Sequence, residues 1–154
     1  MQQKSWTDKS IGTLLREHGL RVTAPRIAIC KQLFARHCHY SAQQLHDELS
    51  PLHPTMSPNT VYLTLNQFAS IGLIRSFNID GNTIFDSNTT THDHAHCRHC
   101  NTLVDLPNST ETPPTTPINM NEWALEWGTR LWSGLCPDCR QSADNTLSTA
   151  GGHG

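Results

Sequence analysis

The sequence predicts an α+β chain: an N-terminal winged helix-turn-helix followed by a smaller unit held by a four-cysteine zinc site. Three observations carry that reading. Short helical segments with start and stop signals fill the chain up to Gly72. Asp80-Gly81 then sits between two alternating runs, the signal of a tight β-hairpin. Two C-x-x-C pairs, Cys97-Arg98-His99-Cys100 and Cys136-Pro137-Asp138-Cys139, dominate the second half.

Each element has a local reason. Lys9 to His18 carries Ile11, Leu14 and Leu15 at helical spacing, and Gly19 can end it. Thr23 can cap a second helix, with Pro25 in its first turn and Ile27, Ile29, Cys30, Leu33 and Phe34 behind it. Ser41-Ala42-Gln43-Gln44 is a capping box that opens a third helix to about Leu49, with His39 at its start. Pro51, Pro54 and Pro58 interrupt the chain. Ser57 caps a fourth helix whose inner stripe is Val61, Leu65, Phe68 and Ala69, and Gly72 stops it. Leu73 to Asn78 and Asn82 to Asp86 form the hairpin. Asn88 to Thr91 is a polar linker. Ala95 to Leu106 predicts a strand, a zinc knuckle and a second strand. The Thr/Pro-rich stretch from Pro107 to Pro117 makes a helix there short or missing. Trp123 to Trp132 predicts another strand, with Trp123, Leu125, Trp127, Leu131 and Trp132 available for burial. Residues 141–154 are polar and Gly-rich, a disordered tail.

Composition narrows the function. The chain has 154 residues, and its apolar content of 36% is low for one well-packed domain, so a metal staple would help a small second core. Net charge is −2, against a general nucleic-acid coat. The charge is uneven, with 8 Lys/Arg against 6 Asp/Glu in residues 1–86 and 3 against 7 thereafter, so the first half suits a phosphate backbone better. No run of about 18 apolar residues occurs, which predicts no membrane span. The N-terminus lacks a signal-peptide core, which predicts a cytoplasmic protein. Paired cysteines there serve metal rather than disulfides. Cys30 reads as a buried thiol. Cys38, beside His39, stays open.

The four cysteines, Cys97, Cys100, Cys136 and Cys139, suit a closed tetrahedral zinc site, structural because no coordination position is left for substrate. His92-Asp93-His94 offers a second, harder ligand set. His92 and His94 alternate, so on an extended segment they face one side. A site of His and Asp suits Fe(II), Mn(II) or Zn(II), with few thiolates favouring the first two. The bland alternative is a solvated linker with incidental histidines. His96 and His99 read as surface residues of the knuckle, and His153 as tail. Enzyme motifs are missing. There is no H-E-x-x-H, no P-loop and no G-x-S-x-G, and the second cysteine pair follows Leu135 rather than the proline of a deaminase P-C-x-x-C, so the reading is not an enzyme.

Gly19-Leu20-Arg21-Val22-Thr23-Ala24-Pro25-Arg26, His39-Tyr40-Ser41-Ala42, Thr60-Val61-Tyr62, Gly72-Leu73-Ile74, His92-Asp93-His94 and both cysteine pairs together resemble the ferric uptake regulator family of metal-dependent transcription factors. The resemblance runs from about Ser10 to Cys139. It implies a homodimer bound to double-stranded DNA. Residues 1–86 would be the winged-helix DNA-binding domain, 87–91 a hinge and 92–140 a small α/β dimerisation domain stapled by one zinc per subunit. It also implies a regulatory site for Fe(II) or Mn(II), with Zn(II) as a further option, made by His39, Asp86, His92, His94 and Asp105. Metal would draw the domains together and set the spacing of two recognition helices. The fourth helix would enter the major groove with Tyr62 at a base, and Asn59, Thr60 and Arg21 close to the DNA.

Members that sense peroxide typically carry Asp as the last ligand and iron-uptake members Glu, so Asp105 leans toward peroxide sensing. In that branch peroxide leads, with Fe(II) bound, to oxidation of His39 or His92. The ligand set then fails and the repressor leaves DNA. Iron or zinc uptake control is the alternative within the family. Three departures matter. Thr91 replaces a frequent His, and no His stands near Gly128, so an auxiliary metal site is expected to be missing. Leu63 replaces a frequent Arg or Asn and can meet only a thymine methyl. The prolines 113, 114 and 117 oppose a helix in the dimerisation domain. Outside the family, a zinc-stapled module whose winged helix binds protein is the competing reading.

Overall fold

The computed structural model describes residues 6–35, 39–106 and 128–142. The chain divides into two units, Met1–Thr89 and Thr90–Gly154.

The first unit opens with α1 (Asp8–Glu17) and α2 (Ala24–Ala35). Thr7 starts α1 with a reciprocal capping box: its hydroxyl accepts the Ser10 N–H, and the Ser10 hydroxyl accepts the Thr7 N–H. Strand β1 (His39–Tyr40) follows. Next come α3 (Ala42–Leu49), opened by the expected Ser41/Gln44 capping box, and α4 (Pro58–Ser70), capped by Ser57 with Pro58 in its first turn. Gly72 leaves α4 at φ +73°, where only glycine is unstrained. Strands β2 (Arg75–Ile79) and β3 (Asn82–Asp86) then pair antiparallel around Asp80 and Gly81, both at positive φ, the two-residue turn that matches strand twist.

One contiguous core holds these helices. Ile11 and Leu15 of α1, Ile29 and Leu33 of α2, Leu45 of α3, and Val61, Leu65 and Phe68 of α4 are fully buried with Phe85 of β3. Burial of the apolar stripe fixes which face of α4 stays outside: Tyr62 and Leu63 are 48% and 58% exposed.

Cys30 is fully buried in this core, and burial raises its thiol from an ordinary 9.0 to about 12. Below about pH 8.5 both native and unfolded thiols stay protonated, so Cys30 leaves stability unchanged there. As pH rises from the unfolded value through the folded one, the unfolded thiolate is favoured and native stability falls. At pH 8 the native protein should therefore leave Cys30 unlabelled by iodoacetamide, while urea-unfolded chain labels it fully. Mass spectrometry of the peptide checks this.

His39 does not start α3. It lies on β1, which pairs with β3 and places His39 opposite Asp86. The wing is thus a three-stranded sheet, β1-β3-β2. Two residues are too few for a hydrophobic alternation to announce a strand.

The second unit is a three-stranded sheet in the order β5-β4-β6, from β4 (Asp93–Cys97), β5 (Leu103–Leu106) and β6 (Leu131–Gly134). β4 pairs antiparallel with β5 and parallel with β6. The expected strand from Trp123 is described only from Leu131. Gly128 to Arg130 are not in a strand, and Trp123, Leu125 and Trp127 lie outside the described residues. Trp132 is 57% exposed rather than buried. A helical turn covers residues 137–142. The stretch 107–127, Cys38 and residues 143–154 lie outside the described residues.

Candidate metal centre

β4 ends at Cys97, and the chain turns back through Asn101, a non-glycine residue at φ +59°. The Asn101 N–H donates to the Cys97 carbonyl at 2.8 Å, closing the knuckle that holds Cys97 and Cys100. β6 runs parallel to β4 and delivers Cys136 and Cys139 to the same end. The four sulfurs lie within 4.8 Å of one another. Cys100 and Cys136 Sγ are 3.7 Å apart, close to the roughly 3.8 Å edge of a tetrahedron with about 2.3 Å zinc–sulfur bonds.

The electrostatics match. The backbone N–H groups of Cys100 and Cys136 pull the Cys97 thiol down to about 5, the latter donating at 3.3 Å. The Thr102 hydroxyl beside it lowers Cys100. Cys139 is pushed up, because its neighbour Cys136 and then the other cysteines crowd it. Some of these sulfurs ionise readily and the last resists until a dication neutralises the cluster. The donor set therefore fits zinc, as expected from spacing.

The remaining ligand candidates fall in two groups. In the first unit, His39 and Asp86 are cross-strand neighbours. His39 Nε2 lies 3.9 Å from Asp86 Oδ1, with both side chains largely buried. The Asn88 N–H donates to that same carboxylate at 2.7 Å, fixing its rotamer. Phe77 packs edge-on against His39.

In the second unit, His92 and His94 face one side, as alternation requires. Their Nε2 atoms are 2.9 Å apart. The other ring nitrogens settle which tautomer each adopts. His92 Nδ1 lies 2.8 Å from the Thr90 carbonyl, which can only accept, so Nδ1 carries the proton. His92 Nε2 then presents its lone pair toward His94 Nε2. A proton held between the two nitrogens or a metal ion satisfies such a pair. Two nitrogens at about 2.0–2.1 Å from one ion and about 90° apart would stand roughly 2.9 Å from each other. Antiparallel register sets Asp105 opposite His94, and its Oδ1 lies 3.3 Å from His92 Nε2. Two imidazoles and a carboxylate thus converge, a mixed N/O set that fits Fe(II), Mn(II) or Zn(II).

His96 is a correction. It was expected at the surface of the knuckle, yet β4 buries it to 6% exposure between Leu103 and Ser133. His99 is exposed, with Nδ1 3.4 Å from Cys139 Sγ. Asp93 points away from His92 and His94 and binds Arg130, whose guanidinium holds its carboxyl below the usual range. Thr129 was missed entirely. Its hydroxyl sits 2.9 Å from His94 Nδ1, and no spacing rule marks it.

Three of the four candidate DNA residues lie on α4. Asn59 and Thr60 lie in its first turn, where Thr60 is bound into the cap by Ser57, and Tyr62 stands outside. Arg21 is exposed before α2, its carbonyl held by Arg26 Nη1 at 2.7 Å.

Residues 17–117 match the model of the ferric uptake regulator family. The peroxide-responsive repressor PerR of Staphylococcus saprophyticus is 34% identical over 135 residues, spanning 83% of this chain and 88% of that protein. The PerR of Staphylococcus aureus strain Mu50 is 36% identical over 100 residues, 64% of this chain and 67% of its own length. Among solved structures, the Vibrio cholerae ferric uptake regulator superposes with a TM-score of 0.63 at 25% identity, covering 81% of this chain and 98% of that one. With a capped α4 beside a three-stranded wing, a four-thiolate cluster and His/Asp groups on β1, β3, β4 and β5, the chain belongs to the ferric uptake regulator family.

Proposed function

We propose that the chain is a metal-dependent, DNA-binding transcriptional repressor that responds to peroxide and acts as a homodimer in the cytoplasm. The observation that carries it is the convergence of His92 and His94 Nε2, 2.9 Å apart with Asp105 beside them. The relatedness to two PerR repressors supports the peroxide branch over iron or zinc uptake.

In this reading His39 and Asp86 of the first unit join His92, His94 and Asp105 of the second on one Fe(II) or Mn(II). Residues 87–91 act as the hinge between the domains 1–86 and 92–140. Cys97, Cys100, Cys136 and Cys139 hold one structural zinc per subunit. Closing the hinge fixes the separation of two α4 helices in a dimer, which must fit major grooves about one turn apart. Tyr62 then faces a base edge, with Arg21 at a phosphate and Asn59 and Thr60 close to the DNA. Bound Fe(II) would supply the electrons that reduce peroxide. His39 and His92 are the ligands that this reading expects to be oxidised, and an oxidised ring would be a poorer ligand. Loss of a ligand opens the hinge and lowers DNA affinity.

A gel shift on the gene's own upstream DNA, with and without Mn(II), tests the repressor reading. A Mn(II)-dependent shift is expected. Mass spectrometry after peroxide treatment of the Fe(II) form should find added oxygen on His39 or His92, and its absence from both rules out peroxide sensing. One observation favours a protein-binding module instead: exposed Leu63 next to Tyr62 makes the outer face of α4 unusually apolar. No shift with or without metal would support that reading.

A further inference from the structure

Thr129 sits in the short segment before β6, and three bonds hold that segment against β4. The Arg130 guanidinium grips the Asp93 carboxylate, with Nε 3.1 Å from Oδ1 and 2.9 Å from Oδ2. The Arg130 carbonyl accepts the His94 N–H at 2.9 Å. The Thr129 hydroxyl donates to the His92 carbonyl at 2.9 Å, with the Arg130 carbonyl as a second acceptor at 3.5 Å.

A hydroxyl has one proton and two lone pairs. Both carbonyls can only accept, so the proton of Thr129 points to them. What remains toward His94 is a lone pair, and His94 Nδ1 is 2.9 Å from it. A proton on His94 Nδ1 completes that contact, and in the neutral ring this leaves the lone pair on Nε2.

We propose that Thr129 is a positioning residue that locks His94 in the Nδ1–H tautomer and so makes Nε2 a metal ligand. Free imidazole in water prefers the opposite tautomer, with the proton on Nε2, which leaves that nitrogen no lone pair for a metal. The hydroxyl spans His94 and the backbone of His92, so it also fixes the spacing of the two rings. Partners of this kind typically change metal affinity by roughly tenfold to a hundredfold.

This inference rests on the metal reading of His92 and His94, and the test separates the two. Full-length, zinc-loaded protein is compared as wild type, Thr129→Val and Thr129→Ser. Valine keeps the shape without the hydroxyl, and serine keeps the hydroxyl. Nitrogen-15 NMR of His94 at pH 8, above the ordinary imidazole pKa of about 6.5, reads the tautomer without added metal. Titration with Mn(II), followed by electron paramagnetic resonance of the free ion, reads affinity. Wild type and Thr129→Ser should show a protonated Nδ1, Thr129→Val a protonated Nε2. Mn(II) affinity of Thr129→Val should fall by roughly tenfold to a hundredfold and recover in Thr129→Ser. Zinc content and melting temperature should stay level across the set. A wild-type tautomer in Thr129→Val, or a protonated Nε2 in wild type, overturns the proposal. Should wild type bind no Mn(II), the metal reading falls, and the NMR tautomer alone decides the role of Thr129.

Discussion

Exchange of Cys97 for serine is expected to unfold the second unit while the first keeps its helices. Cys97 is the hub of the knuckle. It is 4% exposed, its sulfur accepts the Cys136 N–H, and its carbonyl accepts the Asn101 N–H. The described second unit has little apolar burial of its own: Cys97 is its only residue among the buried hydrophobics there. Among those described residues the four thiolates, rather than an apolar core, tie β4 to the segment after β6. Structural zinc contributes about 10–16 kcal/mol in small zinc domains, against about 5–15 kcal/mol for the whole stability of a typical domain. Loss of one thiolate should drop zinc content from one per chain to nearly none. Limited proteolysis should then cut beyond Thr90 and spare residues 6–86, and a chelator should reproduce the pattern in wild type. Cys30→Ser is the control. Cys30 lies in the core of the first unit, so that variant should keep its zinc. A zinc-bearing, protease-resistant Cys97→Ser protein would contradict the structural role.

The features legible in the sequence were those with local causes. Helix caps act within four residues, so Ser41 and Ser57 announced α3 and α4. The Asp80-Gly81 turn needs positive φ at two successive positions, a demand few residue pairs meet. C-x-x-C spacing marked the knuckle, and simple alternation put His92 and His94 on one side. What escaped depends on register between distant segments. β1 exists because His39 and Tyr40 find Asp86 and Phe85, nearly fifty residues on. His96 is buried because β5 and β6 flank it on either side. Thr129 reaches His94 only because β6 runs parallel to β4, a crossover that hydropathy along the chain does not encode.

Replacing His94 with alanine is expected to cost at least a hundredfold in Mn(II) affinity and, at modest metal, nearly all metal-dependent DNA binding. Both ring nitrogens are committed, Nδ1 to Thr129 and Nε2 to the convergence with His92, and the ring is 1% exposed. Since removing a mere partner of a ligand already costs tenfold to a hundredfold, removing the ligand itself should cost no less, or about 2.7 kcal/mol. Occupancy then decides the DNA result. Mn(II) at ten times the wild-type Kd fills about 90% of wild-type sites and about 10% of weakened ones, so the gel shift should nearly vanish. Raising Mn(II) a hundredfold should restore it, which an unfolded variant could not do. His96→Gln is the matched control: it lies two residues on, with the same parity on the same buried strand, but opposite Leu103 and Ser133 rather than Asp105. It should bind Mn(II) like wild type. If His94→Ala kept full metal-dependent binding, the convergence of His92 and His94 would be ordinary packing. Equal losses from both variants would mean that β4 tolerates no change, and metal ligation would lose its main support.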